Sequence, residues 1–226
     1  MSDRLKTPAI VVNFKAYREV DGDGALKLAK ICEQVHQENG VTIAVCPPIV
    51  ELGTVARSVS IPVLSQNSDA HAPGSATGWV TASMIKSAGA IGTLINHSEH
   101  RFQNNVIEEC VELCKADDLI TMICAESVKK AIQVAAYAPD FIAVEPPELI
   151  GGDISVTKAN PLIIEDTVSS VKDVNKKISV LCGAGVKTGE DVAKALELGA
   201  DGVLLASGVV KSKDPKATLL DLIKHL

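Results

Sequence analysis

The sequence is poor in aromatic residues, and this scarcity limits how its core can be built. Only 3% of its 226 residues are Phe, Trp or Tyr, whereas 46% are hydrophobic overall. Val, Ile, Leu and Ala must therefore fill the interior. A chain of this length is long enough to bury a sizeable core, in one large domain or two small ones.

Positive charge is also in short supply, which argues against nucleic acid as the main partner. The chain has 22 Lys and Arg against 28 Asp and Glu, so its net charge is -6. Nucleic-acid-binding domains usually present a basic face, and the sequence shows none. A small anionic ligand stays compatible with this composition, because one local site can be positive on an acidic protein.

Membrane and metal signals are missing as well. We expect no signal peptide and no membrane association, since no apolar run is long enough to span a bilayer. The cysteines lie mostly inside apolar runs without the paired spacing of a metal site, so we expect buried, reduced thiols, no metal and a cytoplasmic location. The six are Cys32, Cys46, Cys110, Cys114, Cys124 and Cys182.

What the chain does contain is a series of eight short apolar runs. Each is continuous rather than alternating, as expected for strands buried on both faces of a parallel sheet. The runs are Pro8–Val12, Val41–Val45, Ile61–Leu64, Ile91–Ile95, Leu119–Ile123, Phe141–Val144, Ile178–Leu181 and Val203–Leu205.

A helical segment follows each run. Asn160 with Pro161 is typical of a helix start, and Thr188 with Asp191 resembles a capping box. Eight strand–helix units predict an α/β protein with one (β/α)8 barrel over residues 1–226. An open doubly wound sheet is the alternative, but it usually has a Gly-rich turn after its first strand, and the turn here is Asn13-Phe14-Lys15. The predicted helices are Gly22–Asn39, Ile49–Ser58, Trp79–Ala88, Gln103–Ala116, Glu126–Ala136, Asn160–Val174, Thr188–Leu198 and Pro215–His225.

In a barrel of this kind the active site lies at the carboxyl ends of the strands. Asn13 and Lys15 follow the first strand, His97 and Glu99 follow the fourth, and Glu145 follows the sixth. Alone, a lysine at a strand end is usually solvated, and a lone histidine is more often structural than catalytic. Lys15 by itself is compatible with a solvated cation, a charge for an anion or a Schiff-base amine.

Two turns of small residues predict a phosphate site. They are Gly183-Ala184-Gly185 after the seventh strand and Ala206-Ser207-Gly208 after the eighth. Small residues let backbone N–H groups point at an anion, and barrels often bind phosphate at these two loops. Each turn alone could be a tight connection, but together with Gly151-Gly152 they favour a phosphate cradle.

The segment after Glu145 has the composition of a lid. Pro146-Pro147 restricts the backbone at one end, and Gly151-Gly152 frees it at the other. A moving lid and an ordinary surface turn both fit this pattern.

Three motifs in this order resemble the triosephosphate isomerase family. They are Asn13-Phe14-Lys15, Asn96-His97-Ser98-Glu99 and Glu145-Pro146, at the ends of strands one, four and six. The resemblance covers essentially the whole chain and is closest to the compact archaeal branch. It implies a TIM barrel that interconverts dihydroxyacetone phosphate and D-glyceraldehyde 3-phosphate in glycolysis and gluconeogenesis, with no cofactor.

The resemblance also implies a role for each matching residue. Glu145 would be the base that moves the proton, His97 the neutral electrophile, and Lys15 the cation that stabilises the enediolate and the phosphate. Asn13 would position the substrate oxygens. Backbone groups around the phosphate would come from Ile150, Gly151, Gly185, Ala206 and Ser207.

The chain departs from the family's usual pattern at three places. The lid ends in Gly152-Asp153, without the usual threonine and second hinge glycine. The turn Cys182–Gly185 lacks the usual serine, so phosphate contacts there would rest on the backbone. Asn96 replaces the glycine that normally precedes the histidine.

Two other functions fit the sequence less well than the isomerase. An aldolase using Lys15 as a Schiff base would leave Glu145 and His97 without a joint task. A non-catalytic sugar-phosphate-binding barrel would not need Lys15, His97 and Glu145 together.

The polar loop Gln66–Thr77 corresponds to one that enters the neighbouring subunit in this family. The resemblance therefore implies at least a homodimer and favours a homotetramer.

Overall fold

The computed structural model describes residues 5–146 and 161–226, whose strands form one eight-stranded parallel sheet. Its order is β2-β1-β8-β7-β6-β5-β4-β3, and a parallel bridge between Val45 and Val63 joins the two ends. The predicted (β/α)8 barrel is therefore confirmed. Strands β1 to β8 are Ala9–Asn13, Thr42–Cys46, Leu64–Ser65, Gly92–Ile95, Ile120–Ala125, Phe141–Val144, Ser179–Cys182 and Gly202–Leu205.

Helices alternate with the strands along the chain. No helix in the described ranges is long and apolar enough to cross a membrane. The capping box predicted at Thr188 is confirmed, because its side chain accepts from the Asp191 N–H and the Asp191 carboxylate accepts from the Thr188 N–H. Helices α1 to α9 are Asp23–Asn39, Leu52–Ser58, Ala82–Ala88, Asn104–Ala116, Val128–Ala135, Leu162–Val174, Gly189–Glu197, Ser207–Val210 and Pro215–Ile223.

Some element boundaries differ from the sequence prediction. The helix predicted from Trp79 begins only at Ala82, because the Val80 N–H donates to the Asp69 carboxylate at 2.7 Å and Thr81 caps the helix instead. The third strand is short and begins at Leu64, since Pro62 before it has no N–H to donate. Helix α8 was not predicted. Asn160, the predicted start of α6, lies outside the described residues.

Side chains on the strands alternate between two apolar layers. Ile10 and Val12 pack outward against the helices, whereas Ala9 and Val11 pack into the barrel interior. Among the described residues, the interior contains aliphatic and sulfur-containing side chains and one aromatic ring, that of Phe141, in keeping with the aromatic-poor composition. Its strand residues are Ala9, Val11, Ala44, Cys46, Leu64, Leu94, Ile120, Met122, Cys124, Phe141, Ala143, Leu181 and Leu204.

The same alternation places a ring of residues over the carboxyl end of the barrel. Each member comes two positions after an inward-facing apolar residue, as Glu145 follows Ala143 and Asn13 follows Val11. Residues with this spacing face the barrel axis where apolar filling ends. They are Asn13, Gln66, Asn96, Glu145, Gly183 and Ala206.

Gly92 marks a close approach of β4 to β5, and its replacement should destabilise the barrel. A Cβ at Gly92 would lie 2.5 Å from the Ile120 carbonyl oxygen and 2.7 Å from the Ile120 Cβ. We expect Gly92→Ala to lower the free energy of unfolding by roughly 2–3 kcal/mol through overpacking, measured by urea denaturation. Gly208→Ala is the control, because nothing lies within 4 Å of its added methyl. Equal stability of the two variants would contradict this reading of β4.

Candidate active site

A cavity of about 560 Å³ opens at the carboxyl ends of the strands. It brings together predicted residues from β1, β4, β6, β7 and β8 and from the loops that follow them. Ile150 and Gly151, predicted for the lid, lie outside the described residues. The predicted residues that line the cavity are Asn13, Lys15, His97, Glu99, Glu145, Gly185, Ala206 and Ser207.

Lys15 is held in an uncommon backbone conformation just after β1. Its φ of 52° lies in the left-handed region, which non-glycine residues seldom adopt. Its N–H donates to the Asn13 side chain at 3.0 Å, and its carbonyl accepts from the Gln66 side chain at 2.9 Å. The Lys15 ammonium donates to Glu99 Oε1 at 2.8 Å. Backbone and side chain are thus both held in place, and Lys15 lines the cavity.

Asn96 shapes the turn that presents His97. Its φ is 61°, a conformation that Asn tolerates better than most residues. The Asn96 side chain donates to the Cys124 carbonyl at 2.9 Å and accepts from the Phe102 N–H at 2.9 Å. The residue that replaces the family's glycine therefore ties the His97 turn to the end of β5.

His97 is neutral, with its proton directed into the cavity. The Glu99 N–H donates to Nδ1 at 3.1 Å, so Nδ1 is an acceptor and the ring proton resides on Nε2. Burial, reinforced by the Lys15 ammonium, lowers the pKa of His97 to about 4, although Glu99 acts in the opposite direction. The Nε2 atom lies 3.4 Å from Glu145 Oε1. Because the ring is neutral at pH 7, this contact is not an ion pair.

Glu145 is a buried carboxyl group at the end of β6, only 4% exposed. Burial raises its pKa to about 7, although the Cys124 thiol, the Lys15 ammonium and the Ser98 N–H favour the ionised form. Its Oε2 atom has no hydrogen-bond partner among the described residues. A carboxylate with a pKa near neutrality can both accept and return a proton.

The arrangement suits proton abstraction beside a carbonyl group. Such a reaction needs a base, a donor for the carbonyl oxygen and positive charge near the oxyanion. Glu145, the His97 Nε2–H and Lys15 supply these three groups within one cavity.

Comparison with known proteins agrees with this geometry. The sequence profile of the triosephosphate isomerase family matches residues 8–226. This chain belongs to the triosephosphate isomerase family. The family membership confirms the resemblance inferred from the three strand-end motifs.

Archaeal triosephosphate isomerases match the chain over almost its whole length. The enzyme of Methanocaldococcus jannaschii is 50% identical over 217 residues, covering 96% of this chain and 99% of the relative. That of Methanothermus fervidus is 50% identical over 222 residues, covering 98% of this chain and 100% of the relative. That of Methanopyrus kandleri is 48% identical over 224 residues, covering 98% and 99%.

Sequence reasoning missed several residues of this triosephosphate isomerase site. Gln66 binds the carbonyls of Lys15 and Cys46, and the Cys124 thiol contacts Glu145. Both follow an inward apolar residue by two positions, so the strand alternation could have revealed them. Tyr17 also lines the cavity, but nothing in the sequence beyond its nearness to Lys15 indicates this.

Gly183 leaves room for the Glu145 side chain, a contact that the sequence does not predict. A Cβ here would lie 2.6 Å from Glu145 Cγ and 3.0 Å from the Val144 carbonyl oxygen. Only glycine leaves room for the carboxylate in its present position. Gly185 has a φ of 67°, in the left-handed region that glycine adopts readily.

Gly183→Ala should therefore displace Glu145 while leaving the barrel folded. Because an error of about 1 Å in a reacting group can lower turnover about 100-fold, we expect kcat to fall roughly 10- to 100-fold. The measurement is steady-state kinetics, with circular dichroism to check folding. Gly53→Ala is the control, since its methyl meets only the end of the Arg57 side chain. Unchanged kcat in a folded Gly183→Ala protein would show that Gly183 does not constrain the base.

Glu145→Gln should stabilise the protein, but only at higher pH. The pKa of Glu145 is raised from 4.5 to about 7, so the folded protein binds this proton more tightly than the unfolded chain. This contribution to stability is full below pH 4.5 and is lost as the pH rises through 7. We expect Glu145→Gln to match the parent at pH 4.5 and to exceed it at pH 8 by roughly 1–3 kcal/mol, measured by urea denaturation at both values.

Glu33→Gln provides a control of opposite sign. Hydrogen bonds from Lys30 and Ser60 lower the pKa of Glu33 to about 2, so its contribution to stability is present above pH 4.5 and lost as the pH falls through 2. Glu33→Gln should therefore be less stable than the parent at pH 8. A Glu145→Gln protein that is also less stable at pH 8 would refute the desolvation of Glu145.

Proposed function

We propose that this protein interconverts dihydroxyacetone phosphate and D-glyceraldehyde 3-phosphate, with Glu145 as base and His97 as neutral electrophile. The observation that carries the proposal is the pairing of the His97 Nε2–H with the Glu145 carboxylate, 3.4 Å apart, in a chain of the triosephosphate isomerase family. The reaction belongs to glycolysis and gluconeogenesis.

The proposed reaction moves one proton between neighbouring carbons. Glu145 removes it from the carbon beside the carbonyl, and the electron pair shifts to the carbonyl oxygen. The His97 Nε2–H donates a hydrogen bond to that oxygen, and the Lys15 ammonium stabilises its negative charge. As the hydroxyl proton of the first carbon moves to the former carbonyl oxygen, Glu145 returns its proton to the carbon that bore the carbonyl, which gives the other triose phosphate without net gain or loss of atoms.

The phosphate is assigned to the part of the cavity formed by the turns after β7 and β8. Gly185, Ala206 and Ser207 line it there, and their backbone groups supply contacts without the serine side chain usual at the seventh strand. Lys15 adds positive charge, and Asn13 positions the substrate oxygens. The contacts assigned to Ile150 and Gly151 rest on the family resemblance.

The protein is also proposed to work as a homo-oligomer, at least a dimer and by likeness to compact archaeal relatives a tetramer. A second cavity of about 370 Å³ reaches Lys15 and His97 from the side of the loop that begins at Gln66. Ile49 lines this cavity and is 42% exposed, and the next residue along the chain, Val50, is 81% exposed. These features suit occupation by a loop from a second copy of the chain. Light scattering tests this: we expect Val50→Glu to have a lower molecular mass in solution than the parent.

The six free cysteines, all buried, support a cytoplasmic location.

A coupled assay that interconverts the two triose phosphates tests the reaction. Glu145→Asp should bind substrate and stay folded but lose about 100-fold or more in kcat, because its carboxylate retreats by one methylene. Near-normal turnover of Glu145→Asp would remove Glu145 from its role. Borohydride trapping of a substrate on Lys15 would instead favour the Schiff-base alternative.

A further inference from the structure

Tyr17 and Lys211 make a contact beside the cavity that the proposed reaction does not use. The Lys211 ammonium lies 4.2 Å from the centroid of the Tyr17 ring. Tyr17 is half-buried, lines the cavity and packs against the outer core, whereas Lys211 is exposed. A cation at this distance over an aromatic face is attracted by the negative face of the ring.

The two residues belong to neighbouring segments that both border the cavity. Strands β1 and β8 pair in parallel with Val12 opposite Leu205, so the chain leaves them side by side. The segment after β1 carries Lys15 and then Tyr17. The segment after β8 carries Ser207, whose carbonyl accepts from the Lys211 N–H at 3.0 Å.

Backbone hydrogen bonds hold both ends of the contact. The Tyr17 carbonyl accepts from the Val20 N–H at 3.1 Å in the 3-10 turn Arg18–Val20, and Lys211 is tied to Ser207 through one turn of α8. The contact therefore joins two locally ordered segments and restricts their separation. Within the described part of the chain, no carboxylate lies within salt-bridge distance of Lys211, so its charge is available to the ring.

We propose that Tyr17 and Lys211 are a positioning pair that holds the Lys15 segment against the Ala206–Ser207 turn. The pair sets the distance between the cation and the backbone groups assigned to the phosphate. This inference rests on the proposed function for the identity of the bound group. Its loss should weaken phosphate binding more than proton transfer, because Glu145 and His97 belong to other strands.

The test compares single and double variants. Tyr17→Leu and Lys211→Met should each raise KM and the inhibition constant of inorganic phosphate about 2- to 5-fold, the range expected for a partly exposed cation–π contact, with kcat changed less. Tyr17→Phe keeps the ring and Lys211→Arg keeps the charge, so each should recover most of the phosphate affinity that Tyr17→Leu or Lys211→Met loses. The double variant Tyr17→Leu/Lys211→Met should be no worse than the poorer single variant, since each change removes the same interaction.

Lys177→Met is the matched control, because Lys177 is exposed and precedes β7 at the opposite end of the barrel. Effects of the two single variants that multiply in the double variant would overturn the pair. So would a Lys211→Arg protein that behaves like Lys211→Met, or a loss confined to kcat. Titration calorimetry with inorganic phosphate measures the coupling without turnover. An inactive parent would therefore refute the proposed function alone, and independent effects on phosphate binding would refute the pair alone.

Discussion

The alternation of side chains along closed parallel strands is the constraint on which this site depends. Inward positions such as Met122, Phe141 and Ala143 are apolar and exclude water from the barrel. The next inward position after β6 is Glu145. Its carboxyl group is therefore shielded from water by the apolar interior, and its side chain lies against Gly183. The backbone geometry that builds a dry core thus also places a carboxyl group where its ionisation is costly.

Burial then acts in opposite directions on the pKa values of the two buried titratable groups that face each other in the cavity. It raises the pKa of Glu145 to about 7 and lowers that of His97 to about 4. The carboxyl group can therefore exchange a proton near neutral pH, and the imidazole keeps a proton on Nε2 without becoming a cation. The Lys15 ammonium, which is paired with Glu99 at 2.8 Å, favours the ionised form of Glu145 and the neutral form of His97. It also supplies local positive charge on a protein whose net charge is -6.

Much of the fold could be predicted because its signals are local. Continuous apolar runs marked the strands, and Phe141–Val144 agrees at both ends with β6. Errors arose where distant groups intervened, as when Asp69 captured the Val80 N–H and delayed α3 to Ala82. In the site, the sequence predicted the strand-end residues with charged or imidazole side chains that line the cavity. Gln66 and Cys124 were missed because an amide or a thiol at a strand end does not by itself indicate a role in a site. The supporting role of Gly183 depends on a neighbouring strand.

The sequence by itself determined the eight strand–helix units, the three motifs at their ends and hence the family. Those properties follow from residue type and spacing along the chain. Only the tertiary structure decided that Gln66 holds the Lys15 backbone, that Nδ1 of His97 accepts from Glu99, and that Glu145 lies against Gly183. The tertiary structure also decides the protonation states of Glu145 and His97, because desolvation depends on groups from many elements and cannot be inferred from the sequence of one strand.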